Sequence, residues 1–240
     1  MYSFQGMNIL VLGGSSGIGL ATAQHAHRLG ASVTIASRDR TKLEHAQALV
    51  GERCRILEAD SSDEAAMVRL FEAAGPLDHI FSCPGGHPRA LVRDASVSQM
   101  RPGLEERFWG AFFVCKYGVP HLRKDGSITF VSGVGVFKPG LSGESVVVAG
   151  AGAVDAFTRA MAKELAPIRV NAVSPGACDT PMTRHLCGKE WDAMSSAFAA
   201  RLPVGRIGTP EDIAQGVIFL MGNTYVTGTT LHIEGGYLLV

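Results

Sequence analysis

The residues Gly13-Gly14-Ser15-Ser16-Gly17-Ile18-Gly19 set four glycines in a turn that follows an apolar run and opens a helical pattern. Glycine lets a backbone turn sharply and approach a ligand closely, and the free N–H groups and positive dipole end of a helix draw an anion. The turn therefore reads as a seat for a pyrophosphate; an ordinary glycine-rich turn is the bland alternative. The next β-branched run ends Ile35-Ala36-Ser37-Arg38, where a site for NAD would offer an acid to the adenosine ribose. No acid stands there. Arg38 with Ser37 suits the 2′-phosphate of NADP(H) through charge-assisted bonds, and NAD(H) is the poorer fit. A solvated surface arginine is the competing reading, because Asp39 and Arg40 crowd the same turn. Asp60, followed by Ser61 after a third run, is placed either to bond an adenine amino group or to cap the next helix.

Seven short β-branched runs are needed to position these groups: Asn8 to Leu12, Ser32 to Ala36, Cys54 to Leu57, His79 to Phe81, Ser127 to Val131, Arg169 to Val173 and Thr230 to Ile233. Between them, apolar residues recur at helical spacing in Ile18 to Leu29, Thr41 to Val50, Glu64 to Ala73, Leu104 to Leu122, Ala149 to Leu165 and Pro210 to Met221. Strand and helix in alternation imply parallel pairing with right-handed crossovers. The expected fold is a Rossmann-type, doubly wound α/β sheet of seven parallel strands between two helix layers. No stretch is rich enough in proline, serine or charge to act as a linker, so residues 1–240 read as one domain. The least regular segments, Gly85 to Ser98, Gly133 to Glu144 and Ala177 to Pro203, all follow expected strands, where an open parallel sheet binds its ligands.

Composition narrows the ligand. Lys plus Arg and Asp plus Glu number 22 each, so no net field draws the chain toward nucleic acid or an anionic membrane, and a small-molecule substrate is the expectation. Cys54, Cys83, Cys115, Cys178 and Cys187 are odd in number and contain no C-x-x-C pair, which argues against a disulfide framework and against a zinc site; no metal is expected. The opening residues lack a basic region followed by an apolar stretch, and the longest weakly polar run, Ser145 to Val154, is short for a bilayer. An unprocessed cytoplasmic protein is expected.

Taken together, the turn Gly13 to Gly19, Asp60, the segment Ile168-Arg169-Val170-Asn171-Ala172-Val173-Ser174-Pro175-Gly176, and the tail Thr227-Gly228-Thr229 with Glu234-Gly235-Gly236 resemble the short-chain dehydrogenase/reductase family nearly end to end. The resemblance implies a seven-stranded Rossmann domain, a homo-oligomer (dimer or tetramer), a nicotinamide cofactor and interconversion of alcohols and ketones. It also implies that Pro175-Gly176 sits beside the nicotinamide and that Thr180 touches its carboxamide.

The family's catalytic Asn, Ser, Tyr and Lys are another matter. Ser132 survives, but alignment on Asp155 to Ala160 puts Val147 at the Tyr position, Ala151 at the Lys position and Arg107 at the Asn position. No tyrosine lies between Tyr117 and Tyr225, so no shift of register restores the pair. Losing a general acid costs about 10²–10⁴ in rate, and the standard family mechanism is not expected. Arg107 is a candidate cation for a developing alkoxide, although it cannot release a proton near neutrality; a surface or inter-subunit salt bridge is its alternative. His87, in an irregular segment, belongs to a residue type that changes charge near neutral pH, against the alternative of an exposed loop side chain. Glu144 stands just before the helix that lost the Tyr, where a carboxylate is also favoured by the helix dipole. Ser132 either bonds a substrate carbonyl or caps a helix or turn at the end of its strand. Cys83 and Cys178 are expected to be inert packing thiols.

Two function classes compete on these residues. One is an NADP(H)-dependent oxidoreductase with non-standard proton delivery, acting on a small carbonyl, alcohol or activated alkene. The other is an NADP(H)-binding protein without redox activity, serving as sensor, scaffold or partner subunit. Lyase or isomerase chemistry on the same scaffold has no residue pointing to it.

Overall fold

The computed structural model describes residues 2–140 and 142–240. Strand and helix alternate from the start: β1 (Asn8–Leu12), α1 (Gly17–Arg28), β2 (Ser32–Ser37), α2 (Arg40–Val50), β3 (Arg55–Glu58), α3 (Glu64–Ala74) and β4 (Leu77–Ser82). A helical run follows, made of α4 (Val97–Leu104), a π turn (Glu105–Trp109), α5 (Gly110–Phe113), a second π turn (Val114–Gly118) and a short tight turn (Val119–His121). The chain continues through β5 (Leu122–Val131), α6 (Ser145–Glu164), β6 (Arg169–Pro175), α7 (Pro181–Cys187), α8 (Trp191–Ala199), α9 (Pro210–Gly222) and β7 (Thr230–Ile233).

All strand pairs are parallel, in the order β3-β2-β1-β4-β5-β6-β7. Alternation within β1 shows why its sequence is a continuous apolar run. Ile9 and Val11 pack with Ala23 and Ala26 of α1 and Val217 of α9 on one face, while Leu10 and Leu12 join Met67 and Leu70 of α3 and Val154 of α6 on the other. A strand buried on both faces has no polar side to show. The expected doubly wound, three-layer sheet is what forms, and its order reverses between β1 and β4, opening a crevice at their carboxyl ends.

Several boundaries differ from expectation for identifiable reasons. The expected helix from Leu104 begins earlier, at Val97, because Ser96 accepts from the Gln99 N–H and caps it. It then widens into π turns, which 3.6-residue periodicity cannot register. The segment Ala177 to Pro203 is not irregular, since it carries α7 and α8; α7 starts on a capping box between Thr180 and Thr183. The apolar run opening at Ser145 extends into the 20 residues of α6, which is long and apolar enough to cross a membrane. Here it packs one face against β5, β6 and α4, burying Val147, Val154, Asp155 and Thr158. Arg169, on β6, closes the far end of α9 by donating to the carbonyls of Leu220 (2.6 Å), Met221 (2.7 Å) and Val226 (3.2 Å).

Candidate functional site

The turn between β1 and α1 can be built only from glycine at its tightest points. Gly13 has φ +78°, and a Cβ there would lie 2.3 Å from the carbonyl oxygen of Cys83. A Cβ on Gly19 would lie 2.1 Å from the oxygen of Gly13. Ser16 holds the N-cap position of α1 in extended conformation without capping it through its side chain, so the first-turn N–H groups are left for a ligand.

Beside this turn lies a cavity of about 290 Å³, lined by Ser15, Ser16, Ser37, Arg38, Lys42 and Ser61, with Gly85 and Glu106 closing it. Ser37 Oγ is buried with no hydrogen-bond partner, an orphan that a ribose or phosphate oxygen would satisfy. Arg38 is 57% exposed but tethered: its Nη1 lies 2.8 Å from Oε1 of Glu106, a buried carboxylate that also accepts from the Gly86 N–H. Of its crowding neighbours, Asp39 lines the same cavity while capping α2 and lying 3.4 Å from the Lys42 ammonium, and Arg40 is held in a 2.9 Å pair with Glu44. Asp60 does not line the cavity; its Oδ1 accepts from the Ser62 N–H (2.9 Å) and Oγ (2.7 Å). The helix cap that Asp60 was an alternative for is supplied by Asp63. A dinucleotide fits this glycine cradle and its polar, partly unsatisfied extension.

A larger cavity of about 540 Å³ opens from the same turn across the carboxyl ends of β4, β5 and β6. Gly17, Ile18, Pro175, Gly176 and Thr180 line its near side. Gly176 has no room for a side chain, since a Cβ would come within 2.7 Å of the Glu234 Cα. Thr180 is buried and its Oγ1 caps α7 by accepting from the Thr183 N–H at 3.1 Å.

Ser132, Arg107, His87 and Glu144 all line this one cavity. Ser132 is buried, and its hydroxyl donates to the Ala151 carbonyl at 3.3 Å rather than capping a strand or helix N–H. Val147 and Ala151 present the α6 wall, with neither phenol nor ammonium on it. Arg107 enters from the first π turn past Gly85 and, more tightly, past Gly150. A Cβ on Gly85 would sit 3.6 Å from its Nη2, and one on Gly150 would sit 3.3 Å from its Cδ. Among the described residues no carboxylate lies within 4.0 Å of it, so the salt-bridge alternative has no partner within the chain. Its Nε is buried without an acceptor. Burial holds the guanidinium below the usual arginine value, and Cys83, Glu106 and Glu144 oppose that fall through space.

His87 and Glu144, 57 residues apart, are joined: Nε2 lies 3.0 Å from Oε1, with side chains 17% and 16% exposed. His87 is therefore not a solvated loop side chain, whereas Glu144 does stand at the N-cap position of α6, where the helix dipole favours a carboxylate, although its side chain bonds the ring rather than a first-turn N–H. His87 Nδ1 is buried and unpartnered. Burial pushes the Cys83 thiol up to about 11 and the Cys178 thiol up to about 12, which keeps both protonated and unreactive near neutrality. Sequence reasoning missed Glu106, Lys138 and Tyr237. Lys138 and Tyr237 are 99 residues apart and meet only through the tertiary fold, whereas Glu106 beside Arg107 was within reach of inspection.

A family model described as Enoyl-(Acyl carrier protein) reductase matches residues 13–238. Short-chain dehydrogenase/reductase ATR9 of Stachybotrys chlorohalonatus is 35% identical over 257 residues, covering 100% of each chain. Among solved structures, a small-chain dehydrogenase in complex with NADPH is 35% identical with a TM-score of 0.84, over 98% of this chain and 99% of that one. A short chain oxidoreductase from Pseudomonas aeruginosa, with NADPH bound and described as containing an atypical catalytic center, is 25% identical with a TM-score of 0.90, over 98% of each chain. The chain belongs to the short-chain dehydrogenase/reductase family.

Proposed function

We propose that this protein is an NADP(H)-dependent oxidoreductase that exchanges hydride with a small carbonyl, alcohol or activated alkene, with proton delivery that does not use a Tyr-Lys pair. The observation carrying this reading is Arg107, a cation without a carboxylate partner among the described residues, which shares with Ser132 a cavity that also includes the glycine turn. Gly13, Gly17 and Gly19 seat the pyrophosphate, Ser15, Ser16 and Ile18 shape the turn, and Ser37, Arg38 and Ser61 take the adenosine end with its 2′-phosphate. The NADPH held by two related structures supports the same choice of coenzyme. When bound, the reduced dinucleotide supplies hydride. Arg107 then stabilises the negative charge that grows on the substrate oxygen, a role preorganised donors perform without reorganising. Because a guanidinium does not give up a proton near neutrality, the proton comes from the His87–Glu144 pair, directly or through one water. Ser132 positions the substrate oxygen.

The test is NADPH oxidation across panels of ketones, aldehydes and enones, with Arg107→Ala and Ser132→Ala alongside. Turnover that both substitutions diminish supports the reading. Tight NADPH binding with no turnover on any panel would sink it and assign the chain to non-redox binding. The same proposal makes the protein a cytoplasmic homo-oligomer. All five thiols are free, and Trp109 is 45% exposed beside Phe112 and Phe113 on the α4–α5 face. A monomer mass by light scattering would refute the assembly.

A further inference from the structure

We infer that the substrate is a carboxylate carried on an apolar body, its charged end held by Lys138. This rests on the hydride-transfer reading and names the substrate class of that same site. The chain carries equal numbers of acidic and basic residues, yet the ionisable groups around the larger cavity are far from balanced. Arg89, Arg107, Lys138 and Arg201 line it against one carboxylate, Glu144, which is already paired with His87. Among the described residues none of those four cations lies within 4.0 Å of a carboxylate. Nearby arginines are treated differently. Arg184 is matched by both oxygens of Asp179 at 2.6 and 2.7 Å, and Arg206 by both oxygens of Asp212 at 2.6 and 2.8 Å. Arg89 and Arg201 are exposed and water can serve them, but Arg107 and Lys138 are partly buried, and a partly buried cation without a carboxylate is a costly arrangement unless an anion enters to complete it.

Lys138 is the one of the four that is both partly buried and fixed. Its Nζ donates to the Tyr237 carbonyl at 3.2 Å and lies 4.8 Å from the centroid of the Tyr237 ring. That ring is buried and packs at 5.1 Å against Phe198 of α8. An ammonium has three donors, so two remain for a ligand, and its side-chain entropy is already spent. The Lys138 wall is built from the chain terminus and α8, whereas the Arg107 wall is built from the first π turn and α6. The two cations thus stand on different elements, one for the reacting oxygen and one for a second charge. The same cavity is lined by Val134, Val136, Met182, Trp191 and Met194, and so large an apolar lining selects a hydrocarbon or aryl body rather than a sugar or polyphosphate.

The test uses benzoylpropionate and its methyl ester, two ligands that differ in charge but share the keto group and ring. Binding is measured by calorimetry to the NADP⁺ complex, in which the ketone cannot be reduced. The acid is expected to bind roughly tenfold or more tighter than the ester, as a charge-assisted hydrogen bond warrants. Lys138→Met should erase that margin with NADP⁺ affinity unchanged, and Lys138→Arg should retain most of it. Equal binding of acid and ester, no binding of the acid at millimolar concentration, or a margin that survives in Lys138→Met each overturns the inference. Reduction of the methyl ester by NADPH is scored separately, so failure of hydride transfer and failure of carboxylate recognition are told apart.

Discussion

An Arg107→Met substitution removes a cation that folding strips of water without giving it a carboxylate in return. In the folded chain the Nε has no acceptor, and burial disfavours the charged form. An unsatisfied buried donor costs about 1–3 kcal/mol, so a methionine stem following the same path past Gly150 should raise the stability of the ligand-free protein by up to about that amount. Function moves the other way. Taking one preorganised donor from a developing oxyanion costs about 10²–10³ in kcat, or about 2.7–4 kcal/mol of transition-state stabilisation. Urea denaturation followed by circular dichroism, beside NADPH affinity and turnover on the best ketone or enone, measures both effects. The expected result is a higher midpoint with an unchanged slope, unaltered NADPH binding and a collapse in kcat. A midpoint that falls together with turnover would show that the guanidinium holds the fold, and the argument from its unpaired state would fail.

Burial pushes the His79 pKa from 6.5 down to about 4, so at acid pH the unfolded chain binds a proton that the folded chain refuses. Stability is therefore complete above about 6.5 and declines by about 3 kcal/mol as pH falls to about 4; His79→Gln should flatten that slope in denaturation curves taken across the range, and an unchanged slope refutes the assignment. Arg169→Met leaves the carbonyls closing α9 without donors and should cost about 2–4 kcal/mol in thermal unfolding, with a loss under about 1 kcal/mol counting against the cap. Gly13→Ala meets both a positive φ and the Cys83 carbonyl, and should weaken NADPH binding by at least about tenfold. Gly75→Ala, with φ +77° but nothing within 4 Å, should pay backbone strain alone and leave NADPH affinity intact, as fluorescence titration would reveal.

The parts of the fold that were legible in sequence are those where one strong local rule acts alone. β1 begins and ends where its run does, because both faces of the sheet are covered there, and the edge strand β7 keeps its expected bounds although its residues are only partly buried. β5 shows only its inner half as a run, from Ser127, because Arg123, Lys124 and Asp125 at its opening are solvent-facing. The π turns leave no periodic mark. In the site, the glycine turn and Arg38 could be read from type and position. His87 and Glu144 could each be picked out, but their partnership depends on the loop after β4 meeting the start of α6, which no spacing encodes. The same holds for Lys138 and Tyr237. Arg107 stands out by type, yet the slot it occupies depends on Gly150, a glycine inside a helix whose purpose appears only in three dimensions.

Glu106 and Arg107 are consecutive in the chain but open onto different cavities, the first onto the one proposed for the adenosine end and the second onto the one proposed for the substrate. The widened turn that contains them lets neighbouring codons address two ends of one ligand assembly. On the proposed reading, coenzyme choice and reaction chemistry are thereby genetically linked. Recombination between relatives would transmit both traits as a block, and laboratory evolution of either one would disturb the other unless this turn were held constant.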